Sequence, residues 1–149
     1  MLSGKQLNME VRKYFETGTI ASLLGAFCMA ISCAEEAASP PKPQAVTHVD
    51  AKQAQQLISQ KKVVVLDLRT PKEYEAGHIG GATNIDFLAS DFEDRLKELD
   101  KGKAYLIHCA VGGRSSHSLA TFKRQQFSSI CHLDGGIKAW ENANLPLER

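Results

Sequence analysis

Apolar positions along the chain switch between short unbroken runs and stretches of helical spacing. Val63–Leu66 is β-branched and continuous, the pattern of a strand buried on both faces. Ala104–Ile107 is similar, Ser129–Leu133 is a weaker third run, and Ala82–Ile85 is a fourth candidate. Helix starts lie between these runs. Asp50 with Gln53 reads as a capping box ahead of Ala54, Leu57 and Ile58. Thr70-Pro71-Lys72-Glu73 reads as a second box with Pro at the first helical position. Ser90-Asp91-Phe92-Glu93 reads as a third, leading a helix with Phe92, Leu96 and Leu99 on one face. From about Ser115 to Gln126, Leu119, Ala120 and Phe122 share an inward face, and Lys123 and Arg124 suit the negative end of that helix dipole. A last short helix fits Ile137–Asn142. Short buried strands alternating with helices predict an α/β fold with a largely parallel sheet.

Upstream of this alternation the text changes character. Ile20–Ser32 is apolar and uncharged and follows Arg12 and Lys13. A basic start before a short apolar run is a secretory pattern, and the run falls short of the roughly 20 residues of a membrane span. Two kinds of processing fit. Small residues Ser32 and Ala34 suit cleavage after Ala34. Alternatively, Ala30-Ile31-Ser32-Cys33 resembles a bacterial lipobox, with Ala30 where Leu is usual and Cys33 as the lipidated residue. An uncleaved anchor helix is the third reading. Ser39–Gln44 carries Pro40, Pro41 and Pro43, which favour an extended tether. The expected organisation is a leader over 1–34, a Pro-rich linker over 35–46 and one domain over 47–149. The protein is expected to be exported, and to be periplasmic or tethered to a bacterial membrane through its N-terminus.

Composition narrows the function classes. A chain of 149 residues with 43% hydrophobic and 23% charged residues holds one ordinary domain. Its formal net charge of +1 argues against a nucleic-acid partner, so any anion binding must be local. Cys28 and Cys33 fall in the leader, which leaves Cys109 and Cys131, too few for a disulfide framework. Cys131, inside a strand-like run, reads as a small buried hydrophobe.

Cys109 has a different setting. In Leu106–Ser116 an apolar strand ends at His108, Cys109 follows, then a small Gly-rich loop, Arg114, and Ser115-Ser116 opening a helix. Ligands of open α/β sheets sit beyond the carboxyl ends of strands, where Cys109 falls. A helix N-terminus supplies free N–H groups and partial positive charge. Gly112 and Gly113 let the backbone take positive φ, so that N–H groups converge on an anion. Arg114 adds a fixed cation with a donor fork. In such surroundings a thiol pKa falls from about 8.5 to about 7 or below, giving a thiolate nucleophile that faces an anion site.

Three segments in order then resemble the rhodanese family: Asp67–Ile85, with Asp-x-Arg, Glu-Tyr, Gly-His-Ile and Gly-Ala; the loop HCAVGGRS; and Leu133–Trp140. The resemblance spans about Thr47–Arg149. It implies a three-layer α/β fold, with a mostly parallel central sheet of about five strands flanked by helices. It implies Cys109 as nucleophile and persulfide carrier. The backbone of Ala110, Val111, Gly112, Gly113 and Arg114 would cradle the substrate anion, with Arg114 holding the donor. Asp67 and Arg69 would lie beside the same mouth, as substrate contacts or as a structural ion pair. Glu73, Gly77 and His78 would hold the fold, and Trp140 would sit in the core. His108, His117 and His132 receive no role. Where the family often has Gly, before the hydrophobic residue that follows the active-site helix, this chain has Gln126.

The activity implied is transfer of a sulfane sulfur from thiosulfate or a similar small anion to cyanide or a thiol, with no cofactor and no metal. A persulfide carrier without turnover, or a partner-binding module, is the alternative of another class. A related Cys-to-Arg loop phosphatase or arsenate reductase is the rival enzyme. In those phosphatases one more residue separates Cys from Arg than the four between Cys109 and Arg114, and a tighter cradle suits a sulfur atom better than a tetrahedral phosphate.

Overall fold

The structure is a computed structural model and describes residues 45–149. The expected leader, most of the linker, and the candidate lipidation site Cys33 lie outside the described residues. Ten elements follow in order: β1 (Ala45–Val49), α1 (Ala51–Ser59), β2 (Val64–Asp67), α2 (Pro71–Ala76), β3 (Thr83–Asn84), α3 (Phe92–Lys97), β4 (Ala104–His108), α4 (Gly113–Arg124), β5 (Ser129–Leu133) and α5 (Gly136–Asn142). The five strands form one parallel sheet in the order β1-β5-β4-β2-β3.

Side chains alternate across this sheet with the period of two that a pleated strand imposes. Val65, Leu106, Cys131 and Leu133 pack on one face against Ala51 and Ala54 of α1 and Ile137 and Trp140 of α5, with Tyr74 of α2 alongside. Leu66, Tyr105, Ile107 and Ile130 pack on the other face against Phe92 and Leu96 of α3 and Phe122 of α4. Helices on both faces explain why β2 and β4 read as unbroken apolar runs. The outcome is the expected three-layer α/β fold with a five-stranded sheet.

The local signals were uneven. Both Asp50/Gln53 and Thr70/Glu73 form complete capping boxes. The third expected box does not form: the N-cap of α3 is Asp91, and it makes no side-chain cap. The helix is instead placed by burial of Phe92 and Leu96. β1 was not anticipated, and it begins at Ala45, inside the segment read as linker. Four of its five residues are exposed, so it has little hydrophobic signature, and parallel pairing with β5 creates it. At the end of α4, Gln126 takes φ +62° where glycine is usual. The N–H of Phe127 reaches the Phe122 carbonyl at 3.2 Å and that of Gln126 the Lys123 carbonyl at 3.0 Å, a Schellman closure. The Phe122 and Phe127 rings seal it edge to face, 4.8 Å apart.

Candidate active site

The helix after β2 carries the chain to β3 at one edge of the sheet, and the helix after β4 carries it to β5 on the opposite side. The winding therefore reverses between β2 and β4, and open α/β sheets bind ligands at the carboxyl ends of strands at such a reversal. Cys109 is the first residue beyond β4.

Gly112, at φ +99°, is the N-cap of α4, and its N–H donates to Cys109 Sγ at 3.2 Å. The task assigned to two glycines falls on this one. Gly113 is the first residue of α4 and is not among the positive-φ residues. The Ser115 hydroxyl also points at the sulfur, 3.5 Å away. Burial pushes the Cys109 thiol pKa up, but hydrogen bonds from the Ser115 hydroxyl and from the backbone N–H groups of Ser115, Gly112 and Val111 outweigh it. The net result holds the thiol below its ordinary value. Cys109 is only 1% exposed, and Val111 at 68% forms an open apolar rim beside it.

α5 braces this loop. The Ile137 N–H donates to the Cys109 carbonyl at 2.9 Å, and the Lys138 N–H to the Ala110 carbonyl at 3.1 Å. So close an approach requires Gly136, at φ +58°, where a Cβ would lie 2.4 Å from the Cys109 carbonyl oxygen.

Arg114 is clamped from across the winding reversal. Its two terminal nitrogens donate to the Glu73 carboxylate at 2.7 and 2.8 Å. Glu73 also accepts from the Thr70 N–H at 3.0 Å and the Thr70 hydroxyl at 2.8 Å, so the residue that closes a capping box also aims the cation. The hydrogen bond from Arg114, aided by those from Thr70 and opposed by burial, pulls the Glu73 pKa from 4.5 to about 2. A guanidinium has five donors, so N–H groups remain for an anion in the mouth.

Asp67 and Arg69 are both buried, at 0% and 6% exposure. They form a buried forked ion pair with contacts from 2.6 to 3.0 Å, and Arg69 also donates to the Gly77 carbonyl at 2.7 Å. Of the two readings the sequence allowed, these contacts are those of the structural ion pair. His78 stacks on Tyr74 with ring centroids 3.9 Å apart and bridges to Glu148, again a fold contact. His108 is fully buried, with Nε2 3.7 Å from Asp67, and burial depresses its pKa. Cys131 lies in the core on the opposite face from Cys109, where burial raises its thiol pKa.

Three residues beside or behind the Cys109 sulfur had no assignment from sequence. Ser115 Oγ lies 2.9 Å from His132 Nε2, and His132 Nδ1 lies 3.0 Å from Asp134 Oδ1. His132 and Asp134 sit at the end of β5, next to β4 in the sheet but more than twenty residues from Cys109 in sequence. No local pattern could have joined them to the loop. His48 Nδ1 reaches the same Asp134 oxygen at 2.7 Å. His48, His132 and Asp134 are the group of metal-ligand type among the described residues, with ligand atoms within 4.8 Å of one another, and both imidazoles are engaged by the one carboxylate oxygen.

The model of the rhodanese-like domain matches residues 50–143. The chain is 31% identical over 138 residues to the probable adenylyltransferase/sulfurtransferase MoeZ of Mycobacterium tuberculosis, covering 91% of this chain but only 34% of that protein. It is 27% identical over 101 residues to the thiosulfate sulfurtransferase GlpE of Vibrio cholerae, covering 68% of this chain and 93% of the relative. Among solved structures, a rhodanese-related protein from Thermoplasma volcanium superposes with a TM-score of 0.62 at 28% identity, over 68% of this chain and 97% of that one.

Proposed function

The chain belongs to the rhodanese-like domain family, and from that premise we propose that it is a sulfurtransferase that carries sulfane sulfur as a Cys109 persulfide. Relatives named as sulfurtransferases support the reaction class. The observation that carries the reading is the thiol itself, at the end of β4, held by the Gly112 N–H and the Ser115 hydroxyl with Arg114 alongside.

The cycle has two displacements. The Cys109 thiolate attacks the outer sulfur of thiosulfate; the new S–S bond forms as the old one breaks, and sulfite leaves with the electron pair. The N–H groups that hold the thiolate then face the persulfide anion, and a preorganised donor set stabilises such charge without reorganisation. Cyanide or a thiolate acceptor attacks the terminal sulfur, taking it as thiocyanate or as a new persulfide, and the Cys109 thiolate returns. Arg114, aimed by Glu73, holds the anionic donor. The small side chains of Ala110 and Val111 leave the mouth open to more than one acceptor.

The test is intact mass after incubation of the full chain with thiosulfate, followed by cyanide and a thiocyanate assay. A gain of one sulfur on Cys109, discharged by cyanide and absent in Cys109→Ser, is expected. A stable gain with no discharge marks a carrier without turnover. No gain, with the thiol still titratable, overturns the proposal and directs the search to phosphate esters and arsenate. Export, with a tether at Cys33, belongs to the same proposal: mass spectrometry of the protein from its host should find residues 20–32 removed, and their retention would refute it.

A further inference from the structure

Cys109 is 1% exposed, so its proton has little direct access to bulk water. A polar path leads away behind it. Ser115 Oγ, fully buried, lies 3.5 Å from Cys109 Sγ, 3.0 Å from the Gly112 carbonyl and 2.9 Å from His132 Nε2. His132 is itself only 3% exposed. Beyond it, Asp134 and His48 reach solvent, with side chains 58% and 57% exposed.

The carboxylate fixes the direction of the path. Ionised Asp134 only accepts, so the His132 Nδ1 at 3.0 Å must carry the hydrogen. The hydrogen bond from His48, with a further one from His132 and against the effect of burial, keeps Asp134 ionised by lowering its pKa. A neutral His132 with its hydrogen on Nδ1 presents a lone pair at Nε2, and that lone pair faces Ser115.

We propose that His132, oriented by Asp134, takes up the Cys109 thiol proton through the Ser115 hydroxyl. The S–H bond breaks as its proton joins Ser115 Oγ, while the original Ser115 proton passes to His132 Nε2. The products are a thiolate and an imidazolium, with no change in total charge and no other reactant. The imidazolium then donates from Nε2 to Ser115 Oγ, which turns its new O–H toward the sulfur. Ser115 touches the reacting sulfur; His132 acts through it and is a positioning residue. The inference rests on Cys109 as the nucleophile.

The other charged and titratable groups around the path are few. Cys109 faces Arg114, paired with Glu73; His108 Nδ1 lies 3.4 Å from the Cys109 carbonyl oxygen, with Asp67 beyond its other nitrogen. His132 faces His48 of β1, Asp134, and the Ser116 hydroxyl of α4 at 3.3 Å. α5 offers the loop backbone N–H groups.

The test follows alkylation of Cys109 by iodoacetamide against pH in the full chain, read by mass spectrometry of the peptide that contains Cys109. His132→Gln keeps a polar group that can reach Ser115 but cannot accept a proton. In His132→Gln and Ser115→Ala the rate near neutral pH should fall about tenfold, one pKa unit of the thiol, while the high-pH plateau stays at the wild-type level. A wild-type profile in His132→Gln would mean that the histidine only supports the loop, and would overturn the proposal. A second reading uses the unaltered chain, so that a misfolded variant cannot obscure the answer. 15N NMR of the His132 ring near neutral pH should show the imidazolium give way to the neutral ring with its hydrogen on Nδ1 once Cys109 is alkylated; an unchanged ring overturns the relay. Neither measurement needs a sulfur donor, so both stand even if Cys109 gains no sulfur from thiosulfate.

Discussion

Replacing Glu73 by Gln isolates the clamp on Arg114. Gln keeps an oxygen that can accept from the Thr70 N–H, so α2 retains its cap while the ion pair is lost. In the wild type the Glu73 pKa falls from 4.5 to about 2. That drop corresponds to an upper bound of about 3.4 kcal/mol, at 1.36 kcal/mol per pKa unit. The Arg114 and Glu73 side chains are 22% and 36% exposed, and solvent screening of such a pair brings the contribution to about 1–1.5 kcal/mol. Because the folded pKa is depressed, this stability is fully present above 4.5 and is lost as pH falls through about 2. Urea unfolding should therefore find Glu73→Gln about 1–1.5 kcal/mol less stable near neutral pH, a fall of roughly 5–10 °C in Tm for a domain of this size. Near pH 3 less than about half of that difference should remain, since the unfolded carboxyl is by then protonated. In the thiosulfate assay KM should rise, as Arg114 loses its fixed direction. An equal loss of stability at both pH values, or none near neutrality, would refute the ion pair as its source.

Other residues give independent tests. Gly136→Ala places a methyl group 2.4 Å from the Cys109 carbonyl oxygen at φ +58°; it should cost at least about 2 kcal/mol in denaturant unfolding and slow Cys109 alkylation, and a wild-type alkylation rate would remove α5 from the site. Gln126→Gly relieves a left-handed residue at φ +62°; it should raise stability by about 0.5–1 kcal/mol net of the extra unfolded-chain entropy, and a lower Tm would contradict the Schellman closure. Asp67→Asn leaves Arg69 buried without a full countercharge; calorimetry should find a loss of about 3–5 kcal/mol, and a loss below about 1 kcal/mol would refute the pair as a structural anchor.

What could be read from the sequence was what lies close together along it. The capping boxes at Asp50 and Thr70 are bonds between residues three apart. The buried strands β2 and β4 announce themselves because both faces are covered, so the runs up to Leu66 and Ile107 are apolar throughout. The Cys109 loop was legible because its strand end, turn glycine, thiol and helix N-terminus fall within a few residues, and each constrains the next. β1 was not legible, because an edge strand with one buried residue carries almost no pattern and exists through its pairing with β5. Nor could the sequence show what surrounds the thiol. Glu73 meets Arg114 across 41 positions, and Ser115 meets His132 across 17. Gly136 touches the Cys109 carbonyl from a different helix. Those contacts follow from the strand order, which puts β5 and β2 on either side of β4 and sends the crossover helices to opposite faces. The chain sequence by itself determined that a thiol and a glycine-capped helix N-terminus would stand at the end of β4. Only the tertiary structure decided which cation is clamped, which ion pair is buried and which histidine stands behind the sulfur, because side chains from separate strands and helices meet only once the sheet is assembled.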